Sequence, residues 1–502
     1  MLRPLYVAIV LAGLSGQAAA QADLMTVYQE ALLYSADLAA AEADTLARQE
    51  ALPQARALLL PNISLGAGVA RERLEVEGQG NDTYNTDYYQ ANLTQPLFRA
   101  ERWFNYQAAK SVTAQAMVEF SAIQQDLIIE VAEAYFNVLR ASDNLATARA
   151  EEDAFERQLD QARERFEVGL SARTDVLEAL AGYDTARATR LTAQTNLTVS
   201  YQALTRLTLS DYDSLAGIRH EMPIMPPLPA NLQEWVDTAA SQNLSLQASR
   251  LAVNTAEDTL RSSKATFAPT VDAFARYNHS SGGADLGGVP LGATNRNGDT
   301  EQASIGIEVT LPLFTGGSRS SQVRESGYRL SQSERLSEAR LREVVESTRN
   351  LFRTVTSSVE EVEARRQAII SARAARDATQ TGYEVGTRNV VDVLEAERNL
   401  FRAVRDYNTT RYNYIIDTLR LKQAAGTLSP EDLMELSQWL DPQYNPDEDF
   451  IPPFDEEEVQ SMTMQRPAVE RSGSAEPNGP VERGGPFEMD ADATNEPVRS
   501  TF

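Results

Sequence analysis

Two carboxylates in the second half of the chain are spaced so that they could act together. Asp392 and Glu395 follow Gly386 closely and stand three positions apart, which places both on one face of a helix. Such a pair is suited to binding cations. An acid near a helix N-terminus is also stabilised by the helix dipole, so a solvated helix cap explains the pair equally well, and the rest of the chain must decide.

The segment that carries this pair occurs almost twice. Residues 386–396 repeat the pattern of residues 169–179: a glycine ends a helical run, an aspartate follows six residues later, and Val-Leu-Glu-Ala opens a new helix. Glycine readily adopts the left-handed conformation at a helix C-terminus, so each segment is predicted to be the turn of a helical hairpin. Pro312 follows Pro96 by about the same interval, 216 residues, which indicates an internal duplication.

Composition excludes several classes of function. The 502 residues include no cysteine and two histidines, His220 and His279, about 60 residues apart in turn-rich stretches. This excludes disulfides, thiolate sites and a cysteine nucleophile, and it argues against a histidine metal site. The net charge of −26 argues against a nucleic-acid partner. With no phosphate-binding loop and no catalytic constellation, the sequence predicts no enzyme, no cofactor and no metal.

The N-terminus predicts export. Residues 1–20 combine a basic residue, a short apolar run and the small-residue sequence Ala18-Ala19-Ala20, as in a secretory signal peptide. No later segment offers about 20 uninterrupted apolar residues. If the mature protein enters a membrane, it must therefore do so as a β-barrel.

Helices and strands are predicted in the same order in both halves, a first repeat at 21–230 and a second at 231–440. Each has a helix, two alternating strands, a long helix, a turn and a return helix. Residues 99–168 contain neither glycine nor proline, so that helix would reach about 100 Å. The Pro-, Gly- and acid-rich segment 446–502 is predicted to be a disordered tail.

The four strands cannot stand alone in a membrane. A closed barrel needs about eight strands, and an open sheet edge is not tolerated in lipid. The barrel must therefore be shared by two or three chains, with the long helices bundled on one side of it. The acids near Gly386 would then form a ring around the axis at the far end, as in cation-selective constrictions.

With these features, the chain resembles the TolC family of outer-membrane channel-tunnels, which serve multidrug efflux and type I secretion. The resemblance covers about residues 23–440. The motifs that carry it are Arg165-Phe166-Glu167-Val168-Gly169-Leu170, Pro312-Leu313-Phe314, Gly386-Thr387-Arg388, Val391-Asp392-Val393-Leu394, Arg411-Tyr412-Asn413-Tyr414 and Gly426-Thr427-Leu428.

The resemblance implies a mainly α-helical homotrimer. Four strands from each protomer would form a shared twelve-stranded membrane β-barrel in the outer membrane, continued by a long α-helical barrel in the periplasm. Segments 209–235 and 426–445 would form a small equatorial domain. The implied partners are outer-membrane lipid, a periplasmic adaptor (membrane fusion) protein and an inner-membrane pump of the RND, ABC or MFS type.

The resemblance also assigns roles to residues at the periplasmic end. Asp392 and Glu395 fall on the acids that ring the entrance; the second is usually aspartate in the family. The links that hold the entrance closed fall on four residues, Tyr383, Arg388, Thr174 and Asp175. The turns at Gly169 and Gly386 are the expected adaptor contacts.

Two functions are weighed against each other. The favoured one is a passive outer-membrane exit duct, opened at its periplasmic end by an adaptor and pump, for drugs, peptides or proteins. The alternative is a secreted or periplasmic structural coiled-coil protein without a pore. The four alternating strands with matched Pro-Leu-Phe ends favour the duct.

Overall fold

The computed structural model describes residues 21–76, 80–282 and 299–453. Contacts divide the chain into two units, 1–453 and 454–502, and all described residues belong to the first. The predicted signal peptide, most of the glycine-rich loop before residue 300 and residues 454–502 of the predicted tail lie outside the described residues.

The described elements follow one another in two similar series. The first consists of α1 (Leu24–Tyr34), α2 (Ala36–Gln49), α3 (Ala51–Ala57), β1 (Asn62–Val76), β2 (Gly80–Phe98), α4 (Ala100–Glu167), α5 (Arg173–Thr208) and β3 (Gly217–Ile218). The second consists of α6 (Leu232–Gln242), α7 (Leu244–Ala265), β4 (Thr270–Ser281), β5 (Thr300–Thr310), α8 (Ser318–Glu384), α9 (Val390–Ala425), α10 (Pro430–Ser437), β6 (Leu440–Asp441) and α11 (Pro446–Asp449).

The two longest helices have the extent that the sequence predicts. α4 has 68 residues and α8 has 67, so each spans about 100 Å at 1.5 Å per residue. Within the described segments, no helix has both the length and the apolar character needed to cross a membrane.

Two helices that were predicted to be continuous are interrupted by side-chain caps. The segment 23–60 forms three helices. Ser35 ends α1 and its hydroxyl accepts the Leu38 N–H to start α2, whereas the second break, at Glu50, has no side-chain cap. The segment 231–266 forms two helices at Asn243. Its side-chain oxygen caps α7, and its amide donates to the Ala424 carbonyl 3.0 Å away. A polar residue inside a helical pattern can thus cap a new helix instead of continuing the old one.

The four long strands form one antiparallel sheet in the order β1-β2-β4-β5. Their register separates an apolar face from a polar face. One row across the sheet is Ile63, Leu93, Ala275 and Ile305, and the adjacent row on the other face is Ser64, Asn92, Arg276 and Ser304. Period-two alternation in each strand therefore produces a two-faced sheet.

Phe274 is the exception on the polar face, and the register explains how it fits. Phe274 stands opposite Gly306. A Cβ on Gly306 would lie 2.9 Å from the Phe274 ring, which is closer than van der Waals contact allows. Glycine at this position therefore makes room for the aromatic ring.

The long helices form a layer with two free edges. α4 packs against α5 on one side and against α7 and α9 on the other, and α8 packs against α7 and α9. Among the described residues, α5 and α8 make no extensive contact with each other. The largest apolar cluster lies midway along α4 and α9, around Tyr135, Phe136 and Tyr412.

The segments 209–235 and 426–445 meet in space, because β3 pairs with β6. The first residues of the segment that was predicted to be a disordered tail are ordered. Pro446–Asp449 form helix α11, and Tyr444 and Phe450 are buried. Arg149 of α4 pairs with Asp447, and the Asn408 side chain of α9 donates to the Phe450 carbonyl. These contacts order a segment whose overall composition is that of a disordered chain.

Candidate functional site

Both predicted hairpin turns have the same backbone geometry. Gly169 and Gly386 have φ of 75° and 77°. After α4, the Gly169 N–H donates to the Phe166 carbonyl and the Leu170 N–H to the Arg165 carbonyl. After α8, the corresponding bonds run from Gly386 to Tyr383 and from Thr387 to Gly382. This double hydrogen bond with a left-handed glycine is the Schellman ending of a helix.

The two acids of the second turn have different surroundings. The Asp392 carboxylate accepts the Asn389 N–H at 3.3 Å, and the Asn389 side chain accepts the Asp392 N–H at 2.9 Å. This reciprocal pair is a capping box. Arg388 Nη1 lies 3.9 Å from the Asp392 carboxylate. Glu395 is exposed, and among the described residues it makes no ion pair, so its carboxylate is available to solvent cations.

The first turn has only half of this arrangement. The Asp175 carboxylate accepts the Ala172 N–H at 3.3 Å, but the Ala172 side chain has no atom that can accept a hydrogen bond in return. The Thr174 hydroxyl lies 3.5 Å from the Asp175 carboxylate. Thr174 and Asp175 therefore contact each other and their own helix start.

Tyr383 is buried between the two hairpins. It is 5% exposed and packs in a cluster with Phe155, Leu159 and Leu394. Its hydroxyl is buried and has no hydrogen-bond partner among the described residues. Within the described segments, no hydrogen bond or ion pair joins Tyr383 or Arg388 to Thr174 or Asp175. The structure thus places the four predicted link residues near the two turns, without direct polar contacts between the two pairs.

Two contacts between the hairpins were not predicted. The Arg165 guanidinium lies over the Tyr383 ring, 4.3 Å from its centre, and Nη1 donates to the Tyr383 carbonyl at 3.4 Å. Gln158 donates to Gln380 at 3.1 Å. Arg165 belongs to one of the motifs quoted above, but the sequence pattern alone does not reveal that it faces Tyr383.

A second polar cluster lies far from the turns, and we call it the buried clasp: Asp143 of α4, Tyr412 of α9 and Tyr444 after β6. The Asp143 carboxylate accepts the Tyr412 hydroxyl at 2.7 Å and the Tyr444 hydroxyl at 2.6 Å. Asp143 is 2% exposed, and burial raises its pKa to about 6. One carboxylate thus joins two long helices to the C-terminal segment.

Arg411 and His220 flank the clasp. The Arg411 guanidinium donates to the Ile218 carbonyl at 3.2 Å and contacts His220 Nδ1 at 3.3 Å. The other imidazole nitrogen bonds to the Asp449 carbonyl at 2.7 Å. Burial and the nearby Arg411 charge lower the pKa of His220 to about 4, so the imidazole is neutral and bridges α9 to α11.

The residues of the described segments offer no metal centre, since no three His, Asp or Glu side chains converge there. The arrangement at the turns is suited to a different task. It combines exposed carboxylates with a small number of polar contacts between two packed hairpins. Such contacts can break without exposing a large apolar core.

Comparison with known sequences gives consistent relatives. The family profile described as "Outer membrane efflux protein" matches residues 27–208 and 235–427. The chain is 35% identical over 440 residues to outer membrane protein TolC of Vibrio cholerae, covering 88% of this chain and 98% of that protein. It is 28% identical over 387 residues to alkaline protease secretion protein AprF of Pseudomonas aeruginosa, covering 75% and 79%.

Solved structures with the same fold are also outer-membrane proteins. The outer membrane protein VceC of Vibrio cholerae superposes with a TM-score of 0.68 at 22% identity, covering 80% of this chain and 96% of that one. The CmeC outer membrane channel of Campylobacter jejuni gives a TM-score of 0.68 at 17% identity, covering 88% and 98%. At these identities the similarity concerns the fold.

Proposed function

The chain belongs to the outer membrane efflux protein family, and from this membership we propose that it works as a passive exit duct in a tripartite assembly. It is an outer-membrane protein with a large helical portion in the periplasm. An inner-membrane pump would supply the energy, and a periplasmic adaptor would open the helical end. Relatives named for protease secretion and for efflux support a cargo of proteins or small molecules.

The observation that carries this proposal is the two-faced sheet. Its apolar face exposes Ile63, Leu65, Val69, Ile305, Ile307 and Val309, whereas its polar face holds serine, asparagine and arginine. An exposed apolar face of this size is stable only against lipid or another protein. We assign the apolar face to the bilayer and the polar face to a water-filled lumen.

The free edges of the sheet and of the helical layer support a shared structure. In the described part of a single chain, β1 pairs only with β2 and β5 only with β4. Three copies joined from β5 to β1 would close a barrel of twelve strands without an open edge. In the same way, α8 of one copy would meet α5 of the next and close a helical tunnel. The resulting protein is a homotrimer with a head-to-tail interface.

The periplasmic gate is assigned to the second hairpin turn. In the trimer, three copies of Asp392 and Glu395 would ring the axis and attract cations. Tyr383, Arg388, Thr174 and Asp175 would contribute to the closed state. The turns at Gly169 and Gly386 would contact the adaptor, since exposed Leu170 and Val385 stand beside them.

Single-channel conductance in a planar bilayer tests this proposal. The mature protein should show a small conductance that a trivalent cation blocks from the helical side. Replacing both acids (Asp392→Ala, Glu395→Ala) should preserve conductance and weaken the block at least tenfold, since the block depends on the ring of charge.

A matched control uses Glu178→Ala, because Glu178 occupies the position in the first turn that corresponds to Glu395 and is also exposed. This variant should retain the wild-type block. Block that survives in the Asp392/Glu395 variant would keep the duct and remove the gate from these residues. A properly trimeric sample without conductance would favour the structural coiled-coil protein.

A further inference from the structure

The contact between Arg165 and Tyr383 is the most direct connection between the two hairpin turns. We infer that Arg165 is a closed-state clamp: its side chain holds the end of α8 against the end of α4 and so keeps the periplasmic gate shut. The inference rests on the proposed duct and adds a gating residue to it. The clamp acts on the ring and the carbonyl of Tyr383, not on its hydroxyl.

The hydroxyl of Tyr383 does not link the hairpins in this structure. It is buried and has no hydrogen-bond partner in the part of the chain that the structure describes, a situation that opposes burial of the residue. The ring of Tyr383, in contrast, makes contacts at its edge and on its face. It packs in the cluster of Phe155, Leu159 and Leu394, and its face is covered by the Arg165 guanidinium at 4.3 Å. Tyr383 therefore acts in the closed state mainly as an aromatic surface.

Arg165 has no other strong partner. Among the described residues it forms no ion pair with a carboxylate. A guanidinium that is half-buried without an acid gains most from an aromatic face, where the ring quadrupole attracts its charge. The ring and the Tyr383 carbonyl are the groups that hold this charge in place.

The backbone geometry fixes both partners of the clamp. The Arg165 carbonyl accepts the Leu170 N–H, and the Tyr383 carbonyl accepts the Gly386 N–H. Both residues thus belong to the hydrogen-bonded turns themselves. Because Arg165 Nη1 also donates to the Tyr383 carbonyl, a single side chain connects one turn to the other.

The second hairpin has no arginine at the position that corresponds to Arg165. Gly382 stands four residues before Gly386, as Arg165 stands four before Gly169. A Cβ at Gly382 would lie 2.8 Å from Arg388 Cγ, so glycine leaves room for the Arg388 side chain. A cation–π contact in the opposite direction lies further from the turns, where the Arg398 guanidinium of α9 is 5.4 Å from the centre of the Phe155 ring. Separation of the hairpins must break both cation–π contacts together with the neutral Gln158–Gln380 bond.

Conductance of four variants tests the clamp. Arg165→Gln and Tyr383→Leu should both raise the open fraction roughly tenfold, since each removes the cation–π contact. Arg165→Lys should give a smaller increase, because an ammonium does not stack as a guanidinium does. Tyr383→Phe should match the wild type, because the ring remains and the lost hydroxyl has no partner.

A cross-link separates gating from misfolding. The chain has no cysteine, so Gln158→Cys and Gln380→Cys can be joined selectively by a short bis-maleimide. In the Arg165→Gln background, this linkage should restore the small wild-type conductance. Such a rescue shows that the variant is folded and differs only in the contact between the hairpins.

The outcomes distinguish the clamp from the duct. A wild-type trimer without conductance contradicts the proposed function. A wild-type trimer that conducts weakly, with Arg165→Gln conducting equally weakly, overturns only the clamp. An increase in Tyr383→Phe equal to that in Arg165→Gln would also overturn it, because the hydroxyl would then be the group that holds the gate.

Discussion

The buried clasp and the hairpin turns both connect the first half of the chain to the second, but they do so by opposite means. At the clasp, the Asp143 carboxylate is 2% exposed and accepts two tyrosine hydroxyls. Near the turns, a guanidinium covers a ring and two glutamines share one hydrogen bond. Removing an acceptor from a buried network leaves unsatisfied donors. Separating the hairpins instead opens the half-buried side chains of Arg165 and Gln380 to water, which can replace their partners.

This difference indicates which level of the molecule can move at a low cost in free energy. The clasp lies beside the largest apolar cluster, and Gly217 admits the Tyr444 ring so closely that a Cβ there would lie 2.1 Å from it. The cluster around Tyr383 is much smaller. We therefore expect the hairpins to separate at their turns while the level of the clasp stays closed.

The largest expected effect comes from removing the clasp. Asp143→Ala would leave the Tyr412 and Tyr444 hydroxyls buried without an acceptor, at a cost of about 4 kcal/mol in the free energy of unfolding. The midpoint of thermal unfolding, followed by helical circular dichroism in detergent, should fall markedly, while the surviving trimers keep wild-type conductance.

Two variants control this prediction. Asp143→Asn retains one acceptor and should destabilise less. Tyr383→Phe should leave the unfolding midpoint unchanged or slightly raised, because it removes a buried hydroxyl that has no partner among the described residues. If Asp143→Ala instead opened the channel without lowering the midpoint, the contrast between a fixed clasp and a movable turn would be lost.

Much of the fold could be predicted because its signals are local. The absence of glycine and proline predicts α4, and a glycine at the end of a helical run predicts both turns. The breaks at Ser35 and Asn243 were missed, since each depends on whether one side chain bonds to the backbone. The order of α11 was missed for another reason: its partners Arg149 and His220 are more than 200 residues away.

The candidate site was predicted in part. Spacing placed Asp392 and Glu395 on a helix start, and the structure has them there. Whether they ring a pore depends on other chains and remains a proposal. Sequence reasoning could not find the Arg165–Tyr383 contact, because the partners lie 218 residues apart and nothing in either local pattern specifies which face meets which.

The next effect concerns pH and involves two groups with opposed pKa shifts. The pKa of Asp143 is raised to about 6 by burial, so the native state binds this proton more tightly, and stability increases as pH falls from about 6 to 4. The pKa of His220 is lowered to about 4, so stability decreases as pH falls from about 6.5 to 4. Each contribution is about 3 kcal/mol, and the two oppose each other.

Variants should reveal the two contributions separately. Relative to the wild type, Asp143→Asn should lose stability as pH falls from 6.5 to 4, and His220→Gln should gain stability over the same interval. The same neighbours face these groups in all three proteins, namely Arg411, Asp449, Tyr412 and Tyr444. Subtracting the wild-type profile therefore removes the contributions that the three proteins share. Parallel profiles of unfolding midpoint against pH would show that neither group titrates in this interval.

The smallest effect tests the difference between the two turns themselves. Asn389 completes a capping box with Asp392, whereas Ala172 leaves Asp175 with half of one. Ala172→Asn should therefore stabilise the start of α5 by about 1 kcal/mol, and Asn389→Ala should destabilise the start of α9 by a similar amount. Hydrogen exchange of the Asp175 and Asp392 amides would measure both changes. If Ala172→Asn slowed exchange at Asp175 and also lowered conductance, the first turn would take part in gating in addition to the Arg165 contact. If it slowed exchange alone, the caps would stabilise each turn locally while the Arg165 contact between them sets the closed state.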